Sequence, residues 1–214
     1  MTLSDAVHGL ASARTFESLR RHRNYRLYFA GQIVSLSGTW MQNAAQSWLV
    51  LQLTGSATAV GVLAVCQFSP YMLAGLAGGV VADRFDRRRT LVVTQTVPIV
   101  LSTVLAALAI SGHVTVWEVD VLAALYGCVM VVDTPARQAF TVEMVGRREL
   151  PNAVALNSSL FNGSRIIGPA LGGLVIGWFG VGPCFAINAA SYLAVVACLL
   201  AMDADALHRE PRRG

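Results

Sequence analysis

Gly79-Val-Val-Ala-Asp83-Arg84-Phe85-Asp86-Arg87-Arg88-Arg89 is a knot of charge set between two apolar runs, 57–82 and 91–111. Each run is long enough to cross a hydrocarbon core of about 30 Å as a helix. Two such runs joined by so short a link read as a helical hairpin whose turn lies at a membrane surface. Gly79 permits tight packing of the helices. Asp83 can meet a helix N-terminus or an arginine, and the arginine cluster holds the link against anionic headgroups.

The rest of the chain has the same character. Of 214 residues, 55% are hydrophobic and 13% charged, where a soluble domain carries about 25% charged residues. Mean hydropathy is +0.56. So little charge does not cover a water-soluble core of this size, and so much apolar content excludes disorder. Four cysteines, all in or beside apolar runs, are too sparse for a secreted disulfide scaffold. The net charge is +4 and the pI about 9.2. A pI above nine can signal nucleic acid. Here every Lys/Arg cation is an arginine and all but one lie between apolar runs, so the partner is a lipid bilayer and not nucleic acid.

Six stretches read as membrane spans: 27–53, 57–82, 91–111, 116–139, 153–179 and 181–202. The expected fold is therefore an all-α membrane bundle of six transmembrane helices. Residues 1–26 form a basic N-terminal segment and 27–202 the six-helix bundle. All arginines except Arg165 fall in the N-terminal segment, the second link, the region around the fourth link or the tail. The links 54–56, 112–115 and Gly180 hold none. The positive-inside rule places both termini in the cytoplasm, for a multi-pass protein of the cell (inner) membrane. The stretch from Phe16 to Tyr25 reads either as an amphipathic helix on the inner leaflet or as a plain basic flank.

Polar residues inside the spans are the candidates for function. Gln32, Ser35, Thr39, Gln42 and Gln46 recur at spacings of three and four, on one helical face, with Asn43 beside it. That stripe reads either as interhelical hydrogen bonding or as a wall of a water-filled path; its length favours the path. The fifth span carries Ser158, Asn162, Arg165, Pro169 and Gly172. A mid-span arginine costs roughly 2.5–3.5 kcal/mol unless compensated, so Arg165 is expected to face a cavity, an anionic substrate or an acidic partner. Pro169 between Gly168 and the Gly172-Gly173 pair suggests a bend and a packed interface. In the fourth span Tyr126, Met130, Asp133 and Arg137 share a face, and Asp133 and Arg137 form an i, i+4 charge pair. Glu118 and Asp120, near the other end, are either solvated or groups for proton uptake. Segments 74–85 and 168–179 align without gaps, placing Gly78-Gly79 on Gly172-Gly173. This is either an inverted three-plus-three repeat or two independent small-residue faces.

No catalytic set is visible. The four histidines are isolated, and there is no metal-spaced Cys/His cluster, P-loop or Gly-x-Ser-x-Gly element. The sequence points to no enzyme, cofactor or metal.

The stretch Gly79, Asp83, Arg84, Asp86, Arg87, Arg88 resembles the loop signature of the major facilitator superfamily, Gly-x-x-x-Asp-Arg-x-Gly-Arg-Arg, between spans two and three. Asp86 stands at the second glycine, where a left-handed turn would fit less easily. Ser164-Arg-Ile-Ile-Gly168-Pro169-Ala-Leu-Gly172-Gly173 resembles the fifth-span signature of that superfamily's proton-coupled exporters, with Ser164 for the leading glycine. The stretch from Asp133 to Gly173 resembles the exporter branch that includes the enterobactin exporter.

That resemblance implies one half of the major facilitator fold, built as two inverted three-helix repeats, with 203–214 beginning a cytoplasmic linker to a missing C-terminal six-helix half. It implies a secondary active transporter, proton-coupled, exporting a small amphipathic compound such as a drug or siderophore-type metabolite. Its loop signature would serve in gating; Gln32, Thr39, Gln42, Asn43, Gln46, Tyr126, Asn162 and Arg165 are the candidates for the cavity. A non-transporting half-chain that pairs with a full transporter is the alternative.

Overall fold

A computed structural model describes residues 17–208. Among these it contains helices and no strands. They are α1 (Glu17–Arg21), α2 (Arg23–Thr54), α3 (Ala57–Arg84), α4 (Arg87–Ser111), α5 (Val116–Phe179) and α6 (Val181–Leu200). By length and composition α3, α4 and α6 are apolar enough to cross a membrane. The polar stripes of α2 and α5 lower the apolarity of those two helices.

α5 differs most from the expectation. It runs 64 residues and holds both the fourth and fifth predicted spans. The stretch expected to link them, 140–152, is helical up to Gly146 and again after it. Gly146 alone interrupts the helix, at φ 73 and ψ 170. That conformation is open essentially to glycine alone. α5 is thus two arms, 116–145 and 147–179. Pro135 and Pro169 lie inside them without any break in the helical dihedrals.

Close approaches set the packing. A Cβ on Gly78 of α3 would collide with the Val131 carbonyl on the first arm, and one on Gly127 with the Gln67 carbonyl. A Cβ on Gly168 of the second arm would lie 2.5 Å from the Trp40 Cβ and 2.7 Å from the Ser37 carbonyl of α2. α3 therefore runs alongside the first arm and α2 alongside the second. α6 returns antiparallel to α2, with Gly31 against Val195 and Gly38 against Asn188. Six helical segments thus traverse the bundle in alternate directions. One end gathers the arginine-rich link and the Gly146 break; the other holds the turns at Gly55, Gly112 and Gly180.

Two apolar clusters close the ends. Tyr25, Tyr28, Leu91, Phe140, Met144 and Leu199 fill the arginine-rich end. Met41, Leu49, Leu105, Val119 and Phe185 fill the other. α1 packs on protein: Ser18 is fully buried and donates to Asn152 Oδ1 at 2.9 Å. This short helix covers part of the segment read either as an amphipathic surface helix or as a plain basic flank; Phe16 lies outside the described residues. After α6 the chain folds back. Asn24 Nδ2 donates to the Asp203 carbonyl at 2.6 Å, and the Asp203 N–H donates to Asn24 Oδ1 at 3.0 Å. The His208 N–H donates to the Glu143 carbonyl at 2.7 Å, just before the Gly146 break.

Candidate functional site: a polar cavity in the bundle

Between the two apolar clusters lies a cavity of about 930 Å³. Its lining includes Gln32, Ser35, Thr39, Trp40 and Asn43 of α2, Gln67 of α3 and Gln95 of α4. The first arm of α5 adds Tyr126, Met130, Asp133, Thr134 and Arg137; the second adds Asn157, Ser158, Phe161 and Asn162; α6 adds Tyr192.

The ion pair of Asp133 and Arg137 anchors this wall. Asp133 is 1% exposed. Its Oδ2 accepts from Arg137 Nη2 at 2.6 Å and from Arg137 Nε at 3.1 Å. Its Oδ1 accepts from Thr94 Oγ1 and Gln95 Nε2, each at 2.7 Å. The remaining Nη1 of Arg137 donates to Gln32 Oε1. A buried charge is tolerable when paired and fully hydrogen-bonded, and Asp133 meets that condition with four donors. Two polar atoms of the same wall, Gln32 Nε2 and Gln95 Oε1, are buried with no partner among the described residues. They leave one donor and one acceptor for water or a guest molecule.

The α2 stripe divides. Gln32, Ser35, Thr39 and Asn43 line the cavity, Thr39 sharing a hydrogen bond with Tyr192 at 2.9 Å and Asn43 accepting from Gln67 at 3.2 Å. Gln42 and Gln46, expected in the cavity, lie outside its lining. Gln42 sits on the edge of the stripe toward α6 and accepts from Asn188 Nδ2 at 2.9 Å. Gln46 is buried about one turn past Asn43 toward the opposite end of the bundle. Interhelical bonding and cavity lining thus occur on the same helix.

Arg165 also lies outside the lining, unlike its neighbours Ser158 and Asn162. Its guanidinium sits over the Trp40 ring, 5.5 Å from the centroid. Asp133 is therefore answered by Arg137 and not by Arg165. Ser164, Gly168 and Gly172 form one stripe against α2: Ser37 Oγ lies 3.4 Å from Ser164 Oγ, and Gly172 faces Met41. Gly173 faces open space.

In the arginine-rich link, Gly78 and not Gly79 makes the close approach; nothing lies within 4 Å of a Cβ on Gly79. Asp86 needs no left-handed turn. At φ −64 and ψ 119 it caps α4, its Oδ1 accepting from the Arg89 N–H at 3.0 Å. An N-cap is a role aspartate fills well. Arg88 donates to the carbonyls of Leu199 and Leu200, at 2.8 and 3.0 Å, closing the end of α6. Arg87 meets Glu143 at 2.9 Å, while its contact with Asp83 is 3.9 Å and the Asp83 side chain is 73% exposed. Arg84, in the last turn of α3, is exposed.

Sequence reasoning missed Thr94, Gln95, Gln67, Asn188, Tyr192 and the aromatic pair Trp40 and Phe161. Adjacent polar residues inside the otherwise apolar 91–111 run were a usable signal for Thr94 and Gln95. Trp40 and Phe161 read as ordinary apolar residues until helix packing brings them together.

Comparison with known proteins agrees with this architecture. Residues 13–212 match the family model described as transmembrane secretion effector. The chain is 27% identical over 176 residues to the staphyloferrin A transporter of Staphylococcus aureus, covering 81% of this chain and 44% of that protein. It is 26% identical over 200 residues to macrolide efflux protein A of Streptococcus pyogenes, covering 92% and 48%. It is 31% identical over 149 residues to the multidrug efflux pump Tap of Mycolicibacterium fortuitum, covering 67% and 36%. The chain thus spans about half the length, or less, of these relatives. It belongs to the transmembrane secretion effector family of major facilitator superfamily transporters.

Proposed function

We propose that this chain is the N-terminal six-helix half of a secondary active exporter, with its cavity forming one side of the transport path. The observation that carries the reading is the polar cavity walled by the Asp133–Arg137 pair, between two apolar clusters. In this reading α2, α3, α4, the two arms of α5 and α6 each cross the bilayer of the cell (inner) membrane. The arginine-rich end is cytoplasmic, with both termini. The two three-helix units are inverted repeats: Gly78 of α3 packs on the first arm as Gly172 of the second arm packs on α2. Residues 203–214 begin the linker to a C-terminal six-helix half, which completes the cavity. The cargo is a small amphipathic compound, drug-like or siderophore-type, moved outward against protons. The link of Asp83, Arg84, Asp86, Arg87 and Arg88 acts in gating, through contacts that lock one conformation.

Efflux from an exporter-deficient strain expressing the complete gene product tests the reading. The probes are a macrolide, ethidium and staphyloferrin A, with membrane abundance measured in parallel. Protein-dependent efflux of at least one, abolished by a protonophore, is expected. Equal retention of all three with and without abundant protein would refute it.

A further inference from the structure

Among the described residues Arg165 has no counter-ion. It lies within the long second arm of α5, among the exposed apolar side chains of Ile166, Ile167 and Phe161. Among the described residues no carboxylate reaches ion-pair distance of it. Its guanidinium carbon lies 5.5 Å from the centre of the Trp40 ring. That contact uses the cation's attraction for an aromatic face. It leaves the N–H fork unused, and this fork is the group that matches a planar oxyacid two bonds at a time.

Trp40 is held firmly beneath it. Gly168, one turn along the same face as Arg165, lets the α2 backbone approach so closely that a Cβ there would lie 2.5 Å from the Trp40 Cβ. Phe161, one turn before Arg165, packs edge-on to Trp40 with centroids 5.6 Å apart. Trp40 and Phe161 both line the cavity, while Arg165 lies just outside it. The three side chains form a bipartite surface: an aromatic wall inside the cavity and an unpaired guanidinium at its rim.

We propose that Arg165 with Trp40 and Phe161 forms an acid-recognising subsite, which favours among the exported compounds those that carry a carboxylate or related oxyacid group beside an apolar body. The apolar body lies on Trp40 and Phe161, and the acid takes the Arg165 fork. This deepens the transporter reading above and rests on it. The subsite requires no pairing with Asp133, whose lone pairs are already taken by Thr94, Gln95 and Arg137.

The test uses the complete gene product in phosphatidylcholine nanodiscs, with every tryptophan except Trp40 replaced by phenylalanine. Energy transfer from Trp40 reports binding of three probes sharing one ring system: anthracene-9-carboxylate, its carboxamide and 9-anthracenemethylammonium. The carboxylate is expected to bind roughly tenfold tighter than the amide, as a charge-assisted bond supplies, and the ammonium weakest. Arg165→Gln should erase the carboxylate's advantage over the amide, while Arg165→Lys keeps part of the preference. Equal binding of the three probes by the parent, or an unaltered ranking in Arg165→Gln, would overturn the subsite. So would loss of thermal stability in Arg165→Gln without any carboxylate preference in the parent, which would give Arg165 to an acidic side chain of the other half. Efflux of a neutral compound by Arg165→Gln separates the two claims. If it persists, the transporter reading stands whatever the probes show; if the parent moves nothing, that reading itself fails.

Discussion

Asp133 Oδ2 lies 2.6 Å from Arg137 Nη2, one turn apart on α5, with the carboxylate all but excluded from solvent. The pair ties three helices together, since Thr94 and Gln95 of α4 and Gln32 of α2 complete its hydrogen bonds. Removing one partner strands the other in a low-dielectric site.

Asp133→Ala should therefore destabilise the protein by about 3–5 kcal/mol, the typical cost of leaving one member of a buried pair uncompensated. The double variant Asp133→Asn with Arg137→Gln should recover most of that loss, because no net charge remains buried. Thermal unfolding in detergent, followed by circular dichroism, checks both. A double variant no more stable than Asp133→Ala would contradict the pairing.

Neighbouring glycines should respond in opposite ways. Gly78→Val and Gly168→Val drive a side chain into the Val131 carbonyl and into the Trp40 Cβ and Ser37 carbonyl. Both should abolish a monodisperse bundle in size-exclusion chromatography. Gly79→Ala and Gly173→Ala point into open space. They should be neutral or stabilising by about 0.5–1 kcal/mol, the gain expected for alanine over glycine within a helix.

Gly146→Ala should cost about 1–3 kcal/mol, because φ 73 with ψ 170 is a region that side chains resist. Hydrogen exchange should then rise locally, in 143–150 and in the strap around Asp203 and His208 docked beside the break. Uniform exchange along α5 would count against Gly146 as the break that joins the two arms.

The proposed orientation, with the arginine-rich end in the cytoplasm, makes a labelling prediction. In a background lacking Cys66, Cys128, Cys184 and Cys198, His113→Cys should react with an impermeant maleimide on intact cells. Arg147→Cys should react only after permeabilisation. The reverse pattern would invert the orientation.

Much of this arrangement was legible from residue order. The arginine-rich and arginine-free links sort to opposite ends of the bundle, and the i, i+4 spacing of Asp133 and Arg137 brings them together without any tertiary information. Helix boundaries at Gly55, Gly112 and Gly180 follow from turn chemistry. Four features needed the tertiary structure. Which of two adjacent glycines packs depends on helix rotation, and Gly78 takes the place assigned to Gly79. The facing of Gln42 and Gln46 depends on where α6 lies and how far the cavity extends along α2. The position of Arg165 depends on Trp40, which sits 125 residues earlier and is brought near by the Gly168 crossing. The continuity of α5 was hidden because a helix on each side of Gly146 looks, in sequence, like two spans and a polar link.

The most direct measurement is transport by the purified complete gene product in liposomes under an imposed proton gradient, using the macrolide probe and the anthracene carboxylate. The account predicts uphill movement of at least one probe in the direction opposite to proton flow, collapsing with a protonophore and weakened at least tenfold by Asp133→Ala with Arg137→Ala. Movement of neither probe above protein-free liposomes, with the protein folded and correctly inserted, would contradict it.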